Sequence, residues 1–366
     1  MLVATIATLA LRPPPSSRTS HREVLLLGTA GLAVNRRASA AGEPGSVAAR
    51  VEELKTLGTR LEQSGRVGAT AEYWPGRLQG RAPPPAAVTL RAAPPFVILP
   101  GFGNDQDDYI SPGGLPAEVS LQAALARRGV DSVAVVPIAR TDWINVAKGL
   151  GDLKFVAGDA QPEGPAFAWY LRKAQATVEQ AVAGARAQNV PDARVVLVGH
   201  SAGGWLARAL MVVAGDAWVR ENVRGVVTLG APHASPPDSV PDQTRGTIPN
   251  VNRRAPGAYY ATRGVFYVTI TSGRVVGDEL GDAAARNGFT AYNLILGRGQ
   301  GVVGDGFVPS SAALLDGAAQ LTLDCFHSGG SADPWPSDDW YGAERNIDPW
   351  LRLVAEQLGR QSVLVT

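Results

Sequence analysis

Short apolar runs closed by glycine or proline recur through the middle of the chain. "FVILPGFG" (96–103), "DSVAVVPI" (131–138), "RVVLVGH" (194–200), "VRGVVTLGAP" (223–232) and "GVFYVTITSG" (264–273) have the length and β-branched content of buried strands. Helix-period segments lie between them at 117–128 and 165–187, and another follows residue 201 with no early proline. Strand, helix, strand, helix, strand, helix predicts an α/β fold, a doubly wound, mostly parallel sheet with helices on both faces. A long loop with Trp143 and Phe155 joins the second run to the helix at 165–187. Near the chain end, "LTLD" (321–324) alternates as a further strand.

Two segments break the alternation. Residues 232–262 have no periodicity and many prolines; leaving the carboxyl end of a strand, they are expected to lie over the sheet edge as a lid-like insertion. Ahead of the first strand, Val47, Val51, Leu54, Leu57 and Leu61 mark one face of an amphipathic helix over 46–65, with Ser46 as its cap. Its glutamates disfavour a membrane-surface role, and a proline-rich connection runs from 74 to 95. The expected organisation is a presequence over 1–40, the helix and connection over 41–95, and the main domain over 96–366.

The presequence reading rests on composition. Before Arg22 there is no acidic residue, while Arg12, Arg18 and Arg22 stand among prolines, serines and threonines. "VLLLGTAGLAV" (24–34) is too short to span a bilayer and precedes "ASA" (38–40), a small-x-small cleavage site. That order resembles a two-part plastid presequence, so a chloroplast location, stroma or thylakoid lumen, is expected. Arg36 and Arg37 follow the apolar run, which does not support a twin-arginine signal.

The formal net charge is +1 over 366 residues, and removal of 1–40 leaves 29 basic and 32 acidic residues. Neither balance suits a nucleic-acid partner or electrostatic attraction to anionic membranes. Apolar residues at 45% and charged ones at 18% fit a globular chain with a large core. Cys325 is the only cysteine, which excludes an internal disulfide and a cysteine-based zinc site.

The candidate chemistry begins at "GHSAGG" (199–204). With 42 glycines in the chain, the bare Gly-x-Ser-x-Gly pattern carries little alone. Its context carries more: an apolar strand before it, a helix after it, and the small residues Ala202 and Gly203 where a tight turn needs them. Gly199, His200 and Gly203 would form the elbow that exposes Ser201 as a nucleophile beside a helix N-terminus. A serine hydroxyl needs a base. Of four histidines, His21 lies in the presequence, His200 should point away from its neighbour Ser201, and His233 in "TLGAPH" reads as locally bonded beneath the insertion. His327, opening a glycine loop after the last strand-like run, is the better base. Asp305, between two glycines, is the acid favoured by chain order, with Asp278, Asp282, Asp316 and Asp324 as competitors. Acyl transfer also needs amides facing an oxyanion; Ala202 would supply one and Phe102, in the "PGFG" turn, the second. "NDQDDY" (104–109) lacks a calcium-loop pattern, so no metal is expected.

"LPGFG", "GHSAGG", "TLGAPH", "GDGFVP" and the late "FHS" occur in the order found in the α/β-hydrolase superfamily, and over about 96–330 the chain resembles its lipase-like branch. "GHSAGGWLAR" with "DQTRG" is similar to plastid-targeted lipase-like proteins of plants and algae, related to GPI inositol-deacylase-type hydrolases. The resemblance implies hydrolysis of esters with apolar acyl groups, a membrane lipid among them, without a cofactor. It assigns nucleophile, acid and base to Ser201, Asp305 and His327. Pro100-Gly101 stands where lipases commonly carry His-Gly, a departure at the second oxyanion donor; the aromatic-rich stretch 333–350 has no counterpart. Two rival readings keep the fold: a thioesterase or acyltransferase with the same three residues, and a ligand-binding module that turns nothing over.

Overall fold

Along the first strand, Phe96 and Ile98 face one side and Val97 and Leu99 the other, all fully buried. Such a strand needs cover on both faces, which a parallel sheet between helical layers provides. The computed structural model describes residues 88–112, 116–237, 240–329 and 339–363. The presequence expected over 1–40, the helix expected at 46–65 and the proline-rich connection up to residue 87 lie outside the described residues, as does 333–338 of the aromatic stretch.

Six strands form one wholly parallel sheet: β1 (Phe96–Leu99), β2 (Val133–Val135), β3 (Val195–His200), β4 (Val223–Leu229), β5 (Phe266–Ser272) and, after a short antiparallel pair β6 (Val275–Val276) and β7 (Val303–Gly304), β8 (Ala319–Leu323). Their order is β2-β1-β3-β4-β5-β8. The direction reverses beside β1, the kind of position where open α/β sheets hold ligands. The helices are α1 (Asp107–Ile110), α2 (Leu121–Ala126), α3 (Leu153–Ala157), α4 (Ala168–Ala187), α5 (Ala202–Asn222), α6 (Thr247–Arg254), α7 (Ala283–Leu296) and α8 (Glu344–Val363).

One core layer packs Val97, Leu99, Val195 and Leu197 against Tyr170, Ala174 and Val178 of α4 and Leu206 and Leu210 of α5. On the opposite face, Phe96, Ile98, Val196 and Val198 meet Leu121 and Leu125 of α2 and Ile347, Trp350, Leu351 and Val354 of α8. Helices therefore cover both faces.

Three local expectations are corrected. The helix expected over 117–128 is a 3₁₀ turn (Ala117–Val119) followed by α2, because Ser120 is extended and its side chain caps Ala123 N. The expected loop around Trp143 is a 3₁₀ stretch (Arg140–Gly151) leading into α3. The insertion at 232–262 is not wholly irregular: α6 lies within it. Asp242 launches that helix by accepting from Thr244 N and Gly246 N, and Thr244 Oγ1 accepts from Ile248 N. Proline in the first turn of α6 costs no hydrogen bond, so Pro249 is tolerated.

Candidate active site

Parallel strands bring their carboxyl ends to one edge. There β3 stops at His200, and Ser201 forms the junction with α5 at φ 53°, ψ −127°, a conformation that non-glycine residues adopt at a cost of about 1–3 kcal/mol. Glycines force the turn. A Cβ on Gly199 would lie 2.4 Å from Gly204 Cα, and one on Gly203 would lie 2.0 Å from the Leu99 carbonyl oxygen. Strand and helix thus meet more closely than any side chain permits, and the serine takes the strained position between them.

The β1 turn runs beside it: a Cβ on Gly101 would lie 2.7 Å from Ser201 Cβ. Side chains hold this turn from several directions. Tyr170 Oη donates to Pro100 O (2.8 Å), Arg140 to Gly103 O (2.7 Å) and Trp143 Nε1 to Asn104 O (2.8 Å), while Gly101 N donates to Tyr109 Oη (3.1 Å). The Phe102 ring lies edge-on to Trp143 at 5.0 Å. Neither the Phe102 nor the Ala202 amide has a hydrogen-bond acceptor among the described residues; Ala202 stands at the first position of α5, where amides have no intrahelical partner. Arg140 also bridges Asp105 and Asp108, so this acidic stretch has its own counter-charge. Among the described residues no cluster of His, Cys, Asp or Glu could hold a metal ion.

Asp305 follows β7 and is fully buried. Its Oδ1 accepts from Phe307 N (2.9 Å) and Val308 N (2.7 Å), and its Oδ2 faces His327 Nδ1 (2.8 Å) and the Tyr341 hydroxyl (2.8 Å). Two partners on each oxygen compensate the loss of water around a buried carboxylate. With its Nδ1 proton held by Asp305, His327 keeps the lone pair on Nε2. The imidazole stacks on Phe307 at 5.1 Å and lies 5.0 Å from the His200 ring. His200 Nε2 bonds to the His327 carbonyl (2.9 Å), which ties the loop after β8 to the residue preceding Ser201. The structure thus gathers Ser201, Phe102, Ala202, His327 and Asp305 along one sheet edge.

The remaining sequence candidates stand elsewhere. His233 is buried, with Nε2 3.2 Å from Thr228 Oγ1, and desolvation with the nearby Arg208 charge holds its imidazole well below the ordinary value. Asp282 caps α7, Asp324 pairs with Arg274, and Asp278 accepts from Leu280 N. The Asp316 carbonyl accepts from Ala258 N. Tyr341, Tyr109, Tyr170 and Arg140 also support the site without belonging to its motifs. For Tyr341 the one signal was the unassigned aromatic stretch; the other three carry no motif.

The insertion is fastened down. Arg245 donates to Phe155 O and Val156 O, and Arg208, buried in α5, donates to Ala255 O at the end of α6 (2.7 Å) and to Asn252 Oδ1 (2.9 Å). Burial lowers the Arg208 guanidinium to about 10.

Residues 147–275 match the family described as the PGAP1-like alpha/beta domain. The likeness to a PGAP1-like domain is confined to this stretch, about a third of the chain. The matched stretch holds the Ser201 elbow and the insertion and ends before Asp305 and His327. Among solved structures, the mature lipase BlEst2 of Bacillus licheniformis is similar at 13% identity, over 74% of this chain and 96% of that one, with a TM-score of 0.41. A metagenomic carboxyl esterase, MGS0156, is similar at 14% identity over 76% and 80%, TM-score 0.40. The phospholipase PlaB of Legionella pneumophila is similar at 12% identity over 56% and 42%, TM-score 0.33. No curated protein matches the sequence. Among the described residues no helix is long and apolar enough to cross a membrane.

Proposed function

We propose that the protein is a serine hydrolase that cleaves carboxylic esters of apolar acyl groups through an acyl-enzyme on Ser201. The observation that carries this reading is the glycine-type backbone of Ser201, a strain that a merely structural serine has no reason to bear. In the reaction His327 Nε2 takes the hydroxyl proton as Oγ attacks the ester carbonyl carbon. The oxygen that gains the electron pair accepts from the Phe102 and Ala202 amides, each such donor supplying on the order of 3 kcal/mol. Collapse breaks the ester bond, and the leaving alkoxide takes the proton from His327. Water, deprotonated by the same imidazole, then attacks the acyl-enzyme, releasing the acid and restoring Ser201; Asp305 holds the ring and stabilises its transient charge.

Partly exposed Phe102 and Phe307 rings border the site. Beside Phe102 the 140–157 segment turns Ile144, Leu150, Leu153 and Val156 to solvent, an apolar surface that suits a lipid ester. The composition of residues 1–40 adds a plastid lipid as the substrate in the cell.

The test is hydrolysis of esters of graded acyl length by purified protein. Ser201→Ala should lower kcat roughly a million-fold if the three residues act as a unit. A variant that keeps most of the activity rejects the assignment.

A further inference from the structure

Four hydrogen-bonding groups run in one direction between the two sides of the site. Gly101 N donates to Tyr109 Oη at 3.1 Å, Tyr109 Oη lies 2.8 Å from His200 Nδ1, and His200 Nε2 lies 2.9 Å from the His327 carbonyl oxygen. A carbonyl only accepts, so the His200 proton must reside on Nε2. In the neutral ring Nδ1 is then an acceptor, and the Tyr109 hydroxyl gives it its hydrogen. The hydroxyl oxygen is thereby left to receive the Gly101 amide. Every link fixes the next, and the opposite tautomer would set two lone pairs against each other at the His327 carbonyl. Tyr109 and His200 are fully buried, and Trp340 packs edge-on against both rings at 6.1 and 5.3 Å.

We propose that Tyr109 and His200 are positioning residues whose relay holds the turn bearing Phe102 in register with the loop bearing His327. The proposal rests on the hydrolase reading. Gly101 adjoins the residue whose amide faces the oxyanion, and the relay's last acceptor belongs to the base itself. An oxyanion donor and a base must keep their spacing to a fraction of an ångström during acyl transfer. The bond between Asp305 and His327 orients the imidazole but makes no connection to the β1 turn. Both residues act through backbone groups, the Gly101 amide and the His327 carbonyl.

The experiment has two arms. Kinetically, Tyr109→Phe and His200→Leu should each lower kcat about tenfold with KM within about twofold, and the double variant should be no slower than the slower single, as expected of one connected unit. His200→Gln, whose amide can donate to the His327 carbonyl, should recover part of the loss. Additive losses, or losses confined to KM, overturn the relay. Nitrogen-15 spectra of histidine in the unmodified protein form the second arm: His200 protonated on Nε2 is expected, and a proton on Nδ1 overturns the relay. Because that arm needs no turnover, absence of ester hydrolysis would reject the hydrolase reading while the spectrum still decides the relay.

Discussion

Tyr341 donates its phenolic hydrogen to Asp305 Oδ2 at 2.8 Å, the same oxygen that meets His327 Nδ1 at 2.8 Å. The carboxylate is thus held by a residue just ahead of α8, at the far end of the chain from the elbow. Tyr341→Phe keeps the ring and removes the donor. Loss of a buried hydrogen bond to a charged group should destabilise the fold by about 1.5–3 kcal/mol. A lower urea midpoint with an unchanged m-value, together with a reduced kcat, is the expected result.

Gly230 packs directly on this pair. Its φ is +55°, and a Cβ there would lie 2.6 Å from both Asp305 Oδ2 and a Tyr341 ring carbon. Gly230→Ala meets two penalties: about 1–2 kcal/mol for the left-handed backbone and a collision with the acid. We expect a lower Tm and a kcat that falls more than for Tyr341→Phe. A variant with wild-type kcat would show that the Asp305 position does not matter to the reaction.

The strain at Ser201 predicts a separation between stability and activity. Ser201→Ala and Ser201→Gly both remove the hydroxyl, but only glycine accepts φ 53° with ψ −127° without penalty. Ser201→Gly should therefore be more stable than Ser201→Ala by about 1–3 kcal/mol, with both inactive. Chemical denaturation of the two purified variants measures the difference directly.

His233 predicts a pH dependence. Burial, with the Arg208 charge adding to it, keeps its imidazole neutral in the fold, well below the 6.5 of an ordinary histidine. As pH falls through that value the unfolded chain binds a proton that the fold refuses. Stability is therefore complete above it and lost below it, by at most about 1.4 kcal/mol per pH unit. His233→Gln, which can still reach Thr228, should flatten this component of the profile between about pH 7 and pH 5.

The parallel sheet was legible because its strands are continuous apolar runs, and periodicity reports burial on both faces. The elbow was legible because only small residues let β3 and α5 approach so closely at Gly199 and Gly203. What escaped notice lacks a local signal. Nothing in the spacing of Tyr109, Tyr170 or Arg140 announces that they hold the β1 turn, since their partners lie 8, 70 and 37 residues away. α6 was missed because its capping comes from Asp242 and Thr244 ahead of it and its anchoring from Arg208, forty-odd residues upstream. The aromatic stretch near the end of the chain had no motif, yet Trp340 packs on His200 and Tyr341 bonds the candidate acid.

Covalent trapping distinguishes Ser201 as nucleophile, with His327 as its base, from every other assignment. Folded protein treated with a fluorophosphonate, then digested and analysed by mass spectrometry, should carry one phosphonyl group, on Ser201. The same treatment of His327→Ala should leave Ser201 almost unlabelled. An unmodified Ser201 in protein that hydrolyses esters would rule out Ser201 as nucleophile, and equal labelling without His327 would rule out His327 as its base.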